Sequence, residues 1–304
     1  MEAKSGRLPT LLVAALALVF LLVVWGGIVR LSGSGLAIPD WPLAEGKLLP
    51  KTHPIVLIEF GLRVLAMLLS LTTLAIAIVV FRSRESRAKL GALTVAALIA
   101  LALQVFMGAR VVLEELPVDR VVAHLLLAFT FFGILLMMAL RATEPASPAS
   151  TVDGGGPPIP RDPRARLLAR FAHLSAGAVF LQAGLGAWVS SSGASLACPD
   201  FPTCQGKWLP PMTGLVGIHY AHRLGAYAIV LLVLGLLVAA APVKLPPRAR
   251  WPLRVSGILL AVQVLLGIGN VVLRVPLPVS AAHLGTALIL FGTLLTAAYE
   301  LKRA

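Results

Sequence analysis

The chain has 304 residues, 58% of them hydrophobic and 13% charged, and a net charge of +13. That apolar content is too high for an ordinary soluble domain. The positive charge is not gathered into a nucleic-acid-binding patch; it recurs in short clusters between apolar stretches, as the positive-inside rule requires of a membrane protein.

Eight apolar stretches follow in order, at 11–29, 55–81, 90–113, 121–140, 171–190, 213–241, 253–273 and 279–299. Each is long enough to cross a hydrocarbon core of about 30 Å. Backbone polar groups in lipid must be satisfied within the chain, so all eight are predicted to be helices. The first runs on into a Gly-rich loop whose counterpart lies mid-chain, which predicts a span and not a cleavable signal. Basic residues cluster before span one (Lys4, Arg7), between spans two and three (Arg82, Arg84, Arg87, Lys89), four and five (Arg141, Arg161, Arg164, Arg166, Arg170), and six and seven (Lys244, Arg248, Arg250, Arg254), and after span eight (Lys302, Arg303). All lie on the side that holds both termini. The expected topology is a multi-pass protein of the plasma (inner) membrane with both termini cytoplasmic.

Residues 143–165 are rich in proline and glycine, from Pro145 to Pro163, and read as a cytoplasmic linker. They divide the chain into an N-terminal half, 1–142, and a C-terminal half, 166–304. The predicted fold class is an all-α membrane protein with two tandem, pseudo-symmetric four-helix bundles. Four spans per half give both halves the same orientation in the bilayer.

The halves are copies. A shift of 160 lays W-G-G-I-V-R-L-S-G-S-G-L-A-I-P-D-W-P from Trp25 onto L-G-A-W-V-S-S-S-G-A-S-L-A-C-P-D-F-P from Leu185, and Glu59-Phe60-Gly61-Leu62-Arg63 onto His219-Tyr220-Ala221-His222-Arg223. A shift of 159 carries Gln104 and His124 onto Gln263 and His283. Glycines such as Gly26, Gly108, Gly184, Gly186, Gly267 and Gly269 let helices approach closely. Gln104 and Gln263 read as interhelical hydrogen-bond partners, without chemistry of their own.

Ionisable groups inside spans are costly, and therefore informative. His222 and His283 fall in the outer half of spans six and eight. Facing imidazoles in a four-helix bundle suit a haem iron, which accepts two axial nitrogens. Hydrogen-bonded core histidines or a proton relay are the alternatives; zinc lacks the carboxylate or cysteine that would complete a tetrahedral set. Arg63 and Arg223 follow the key positions in both halves. They suit haem propionates, or else snorkel to the interface. Glu59 is a group able to take or deliver a proton, with a structural pairing to Arg63 as the other reading. In the first half His124 stands alone, because Leu62 occupies the position of His222. A haem there would have one protein ligand and an open face that admits oxygen. Arg110, whose counterpart is Gly269, either contacts a propionate or lies at the outer interface. His53 and His173 have no repeat partner and read as interfacial or core residues.

Cys198 and Cys204 are the only cysteines. Their even number, short spacing and outer location predict a disulfide, clamping the loop or acting in redox. Ile38 and Ala44 stand at the matching places of the first loop.

As a set, R-L-S-G-S-G-L at 30–36, P-D-W-P at 39–42, S-S-S-G-A-S-L-A-C-P-D-F-P-T-C at 190–204, H-x-x-H-R at 219–223 and the histidines at 124 and 283 resemble the haem A synthase family. These membrane enzymes make haem A for terminal oxidases. The resemblance implies a b-type haem cofactor, its iron held by His222 and His283, in the second half. It also implies oxidation of a ring methyl of substrate haem O to formyl in the first half, with Glu59 as active-site residue and His124 on the substrate haem iron. Implied partners are membrane lipid, an electron donor and the farnesyltransferase that supplies haem O; no nucleic acid is expected, and a homo-oligomer is left open. Leu62 departs from the family's Glu-x-x-His-Arg pattern. A non-catalytic haem b-binding protein for electron transfer or oxidase assembly is therefore the competing expectation. A transporter with a midplane site between repeats also fits parallel duplication, but leaves the histidines unexplained.

Overall fold

The computed structural model describes residues 7–41, 46–47, 53–144 and 163–304. Among these are eight helices long and apolar enough to cross a membrane: α1 (Arg7–Leu31), α2 (Pro54–Arg82), α3 (Arg84–Leu113), α4 (Val118–Ala142), α5 (Pro163–Ser191), α6 (Gly214–Ala240), α7 (Pro247–Val272) and α8 (Leu277–Leu301). The eight expected spans are all present. Several helices extend beyond their apolar stretches; α3, α5 and α7 each begin with a charged turn. Pro163 corrects the expected linker boundary. It opens α5, because a proline in the first helical turn gives up only an N–H that has no partner there. Residues 145–162 of the linker, with Lys4, Pro42 and Ala44, lie outside the described residues.

Helices α1 to α4 form one ring and α5 to α8 a second, with neighbours in chain order packed together and each ring closed by its first and last helix. The rings meet along α4 against α5, α1 against α8, and α4 against α8. In lipid, helix association rests on van der Waals packing more than on the hydrophobic effect, so close approach at small residues matters. The seam shows this in matched pairs. A Cβ at Gly133 would lie 3.6 Å from Phe291, and a Cβ at Gly292, its counterpart, would lie 2.8 Å from Phe132, the counterpart of Phe291. Each half therefore inserts the same phenylalanine beside the same glycine of the other, as in a symmetric dimer interface. Phe129, Leu135, Met138, Leu288 and Leu294 fill the core around them.

The hairpins within each half are also duplicated. Between α3 and α4, Glu115 and Leu116 adopt left-handed backbone (φ 59° and 62°); between α7 and α8, Arg274 and Val275 do the same (φ 59° and 60°). The amides of Leu116 and Val275 close the helix ends on the carbonyls of Val111 and Asn270, at 2.9 and 2.7 Å. A left-handed valine is costly. Its retention in both halves turns Leu116 and Val275 towards the space between the helices.

Candidate functional site

Both long loops lie at the end of the bundle away from the termini, and both are built on the same scaffold. The Asp40 carboxylate accepts from Gly46 N–H at 2.9 Å. Its counterpart Asp200 accepts from the amides of Gln205 and Gly206 at 2.6 and 3.0 Å, and from the Thr203 hydroxyl. The Thr203 hydroxyl and the two amides hold the Asp200 carboxyl down at about 2. Gly46 and Gly206 have positive φ, 71° and 73°, where glycine alone is unstrained. The repeated Pro-Asp and Gly-Lys pairs thus fold the loops. The expected Cys198–Cys204 disulfide is present, with both residues fully buried.

Each loop is fastened to its bundle by the repeated arginine. Arg63 Nη2 donates to the Ile38 carbonyl at 2.9 Å, and Arg223 Nη2 donates to the Cys198 carbonyl, the equivalent group, at 2.8 Å. Arg223 Nη1 also donates to the Thr203 carbonyl at 2.7 Å. The disulfide thereby sits between the two strands of loop that Arg223 grips. Both arginines face the central cavity, and of the Arg223 nitrogens only Nε lacks a protein partner. Loop anchoring is thus a role that the sequence did not reveal, beside the expected propionate contact.

Glu59 and His219, at equivalent positions, complete the fastening differently. Glu59 is 3% exposed. Its Oε2 accepts from Ile38 N–H at 2.8 Å, and its Oε1 accepts from Arg63 Nη2 at 2.8 Å. His219 Nδ1 lies 2.9 Å from the Ala194 carbonyl. The loop passes so close to the start of α6 that a Cβ on Gly217 would lie 2.6 Å from the Met212 carbonyl carbon, a position open only to glycine.

Beneath the loops lies a cavity of about 1200 Å³, lined by all eight helices and continuous between the halves. It exceeds the usual volume of a site for one small molecule, roughly 300–1000 Å³. Its walls are mostly apolar. The polar groups facing it include Glu59, Arg63, His124, His219, His222, Arg223 and His283, so every residue expected from the sequence to carry chemistry reaches one space.

The three candidate ligand histidines are seated alike. A Cβ on Gly108 would lie 3.3 Å from His124 Cε1, on Gly267 3.3 Å from His283 Cε1, and on Gly186 3.0 Å from His222 Cε1. Each imidazole rests in a hollow that exists because the neighbouring helix has no side chain there. Gln182 supports His222, with its amide nitrogen 2.6 Å from the His222 carbonyl and 3.0 Å from Nδ1. Gln263 Nε2 lies 3.3 Å from His283 Nε2. The Nδ1 atoms of His124 and His283 are buried without a partner. Buried polar atoms are ordinarily bonded; each of these rings also lines the cavity, and an imidazole at a cavity wall is the side chain that haem iron takes as a ligand. The residues fit a haem held between α6 and α8 in the second half, and a haem held from α4 alone in the first. Among the described residues no group of three or more His, Cys, Asp or Glu side chains could close around a bare metal ion.

Arg110 pairs with Glu114, which also accepts from Arg120 at 3.0 Å, and its guanidinium is 5.9 Å from the Phe106 ring. His53 is exposed at the start of α2, and His173 bonds the Ala169 carbonyl at 2.8 Å. Sequence reading missed two cavity residues. Arg30 reaches across the seam to Ser190, donating to its carbonyl at 2.9 Å and to its hydroxyl. Gln182 was hidden because its repeat counterpart, Leu22, is apolar.

The fold and site define a duplicated, eight-helix membrane protein with a histidine-lined cavity shared by its halves. The chain belongs to the cytochrome oxidase assembly protein family, whose model matches residues 9–295. It is similar to a protein named heme A synthase from Symbiobacterium thermophilum, 36% identical over 72% of this chain and 71% of that protein. A heme A synthase from Shewanella oneidensis is 30% identical over 97% of both chains, and one from Nitrosospira multiformis 28% identical over 94% and 91%.

Proposed function

We propose that this protein converts haem O to haem A, oxidising a ring methyl to formyl for the biogenesis of terminal oxidases. It works in the plasma (inner) membrane with both termini cytoplasmic, as the basic clusters at the terminal end direct. The observation that carries this reading is the uneven set of three glycine-seated histidines around one cavity, with Glu59 on the side that has only one. The names of the relatives point to the same reaction.

His222 and His283 would hold a b-type haem, which would supply one-electron redox chemistry. His124 holds the substrate haem O from α4, and the apolar walls accommodate its isoprenoid tail and exclude water. Glu59 presents a carboxylate at the wall, where it takes or delivers a proton. Both its oxygens are engaged, so proton exchange proceeds as the Ile38 N–H or Arg63 bond yields. Arg63 and Arg223 keep the loops closed over the cavity, and from its wall they would meet the propionates. A farnesyltransferase supplies the substrate and a separate donor supplies the electrons.

Leu62 favours a second reading, a haem b-binding protein without first-half chemistry. Product analysis separates the two. Co-expression with a source of haem O is expected to yield extractable haem A, and Glu59→Ala to abolish it. Formyl haem no higher than the empty-vector background would reject the enzyme.

A further inference from the structure

The first-half site differs from the second by more than one histidine. On its α3/α4 side the histidine and its immediate neighbours are kept: Gln104, Gly108 and His124 repeat Gln263, Gly267 and His283. On its α1/α2 side the change is concerted. His222 becomes Leu62, and Gln182, the amide that supports His222, becomes Leu22, while the seating glycine Gly186 is retained as Gly26.

The structure shows what that combination does. Gly186 is pressed against the imidazole it accommodates, but a Cβ on Gly26 would meet nothing within 4 Å. Leu22, Gly26 and Leu62 all line the cavity. Loss of the histidine alone would have left a polar amide at this wall, held by the main-chain carbonyl that Gln182 also bonds in the second half. Here the amide has gone with the imidazole, so this wall has neither donor nor acceptor. A hollow remains because the glycine remains. It lies at α1, which neighbours α4 in the ring, with Leu62 on α2, the helix diagonal to α4, so it opens on the same cavity as His124.

We propose that Leu22, Gly26 and Leu62 form a binding pocket for a small neutral diatomic, dioxygen in the reaction, on the face of the first-half haem that no protein ligand occupies. An apolar hollow of this kind admits an uncharged gas and offers water no hydrogen bond. The proposal rests on the reading of the first half as a haem site, and its test separates the two.

Carbon monoxide is the probe, added to the reduced, purified full-length protein carrying haem. Wild type is expected to bind carbon monoxide at one of two haems per chain, and His124→Ala to lose that haem while His222→Ala keeps it. Leu62→His, which rebuilds the second-half arrangement, is expected to convert the site from high-spin to low-spin and weaken carbon monoxide binding by at least about tenfold. Gly26→Leu is expected to weaken it about as much by filling the hollow, without the low-spin signal. Two haems with no carbon monoxide binding, or undiminished binding in Leu62→His, would overturn the pocket and leave the haem assignment standing. A single haem per chain, lost in His222→Ala, would overturn the first-half haem site and the pocket with it.

Discussion

Arg30 donates to Ser190, the residue that occupies its own position in the other half of the chain. The bond joins the C-terminal ends of α1 and α5 at the loop end of the cavity, and it has no mirror image, since serine cannot reach back. One guanidinium thus crosses the seam at its loop end, as that of Arg303 does at the other end by pairing with Glu144. Replacing Arg30 with alanine should cost about 1.5–3 kcal/mol, the range for a hydrogen bond to a charged group. Thermal unfolding in detergent would register it, and an unchanged midpoint would place the holding force of the seam in its glycine–phenylalanine contacts.

Those contacts give a second expectation. At Gly292 an added Cβ would lie 2.8 Å from the Phe132 ring, so Gly292→Ala must displace α4 or the ring. Overpacking of this kind costs about 1–3 kcal/mol. At Gly133 the same atom would lie at ordinary contact distance, 3.5 Å or more from its neighbours. Gly133→Ala should therefore be the milder of the pair, and equal destabilisation would argue against the asymmetry.

Haem ligation can be tested without turnover. His222→Ala or His283→Ala should remove the low-spin b-type absorption from the purified protein. Gly186→Ala should perturb that same absorption, because its Cβ would press on His222 at 3.0 Å. A spectrum unchanged in both histidine variants would move the haem elsewhere.

The second loop should respond to acid in a defined window. Asp200 has a folded-state value of about 2, below its ordinary 3.8. Its contribution is therefore fully present above about 3.8, and it fades as pH falls through about 2. Hydrogen exchange at the Gln205 and Gly206 amides should be flat from pH 8 to 5 once corrected for intrinsic rate, then lose protection below that range. Asp200→Ala should remove the protection at every pH.

The Arg223 fastening predicts a coupling. Cys198→Ser leaves the carbonyls that Arg223 grips in place but frees the loop to separate them, so protease sensitivity in 190–212 should rise. Arg223→Ala should raise it further, since both strands are released at once. Equal sensitivity in wild type and both variants would mean that packing alone holds the loop.

The span count, the duplication and the histidine positions were legible in the sequence, because each depends on local composition or on register between copies. Hydropathy over about 20 residues fixes a span whatever its neighbours are, and a repeat exposes a change such as His222 to Leu62 by simple alignment. What the repeated motifs were for was not legible. The Pro-Asp and Gly-Lys pairs proved to be loop scaffolding, and Arg63 and Arg223 proved to anchor those loops, since hydrogen bonds to backbone carbonyls leave no trace in residue type. Gln182 and Arg30 were invisible for the same reason: their partners are a main-chain carbonyl and a serine from other helices.

By itself, then, the sequence determined an eight-span duplicated membrane protein with two candidate ligand histidines in one half and one in the other. Only the tertiary structure decided that both halves open into a single cavity, and that Leu22, Gly26 and Leu62 share one wall of it. Composition and spacing are properties of one segment at a time, whereas a hollow is defined by what its neighbours leave empty.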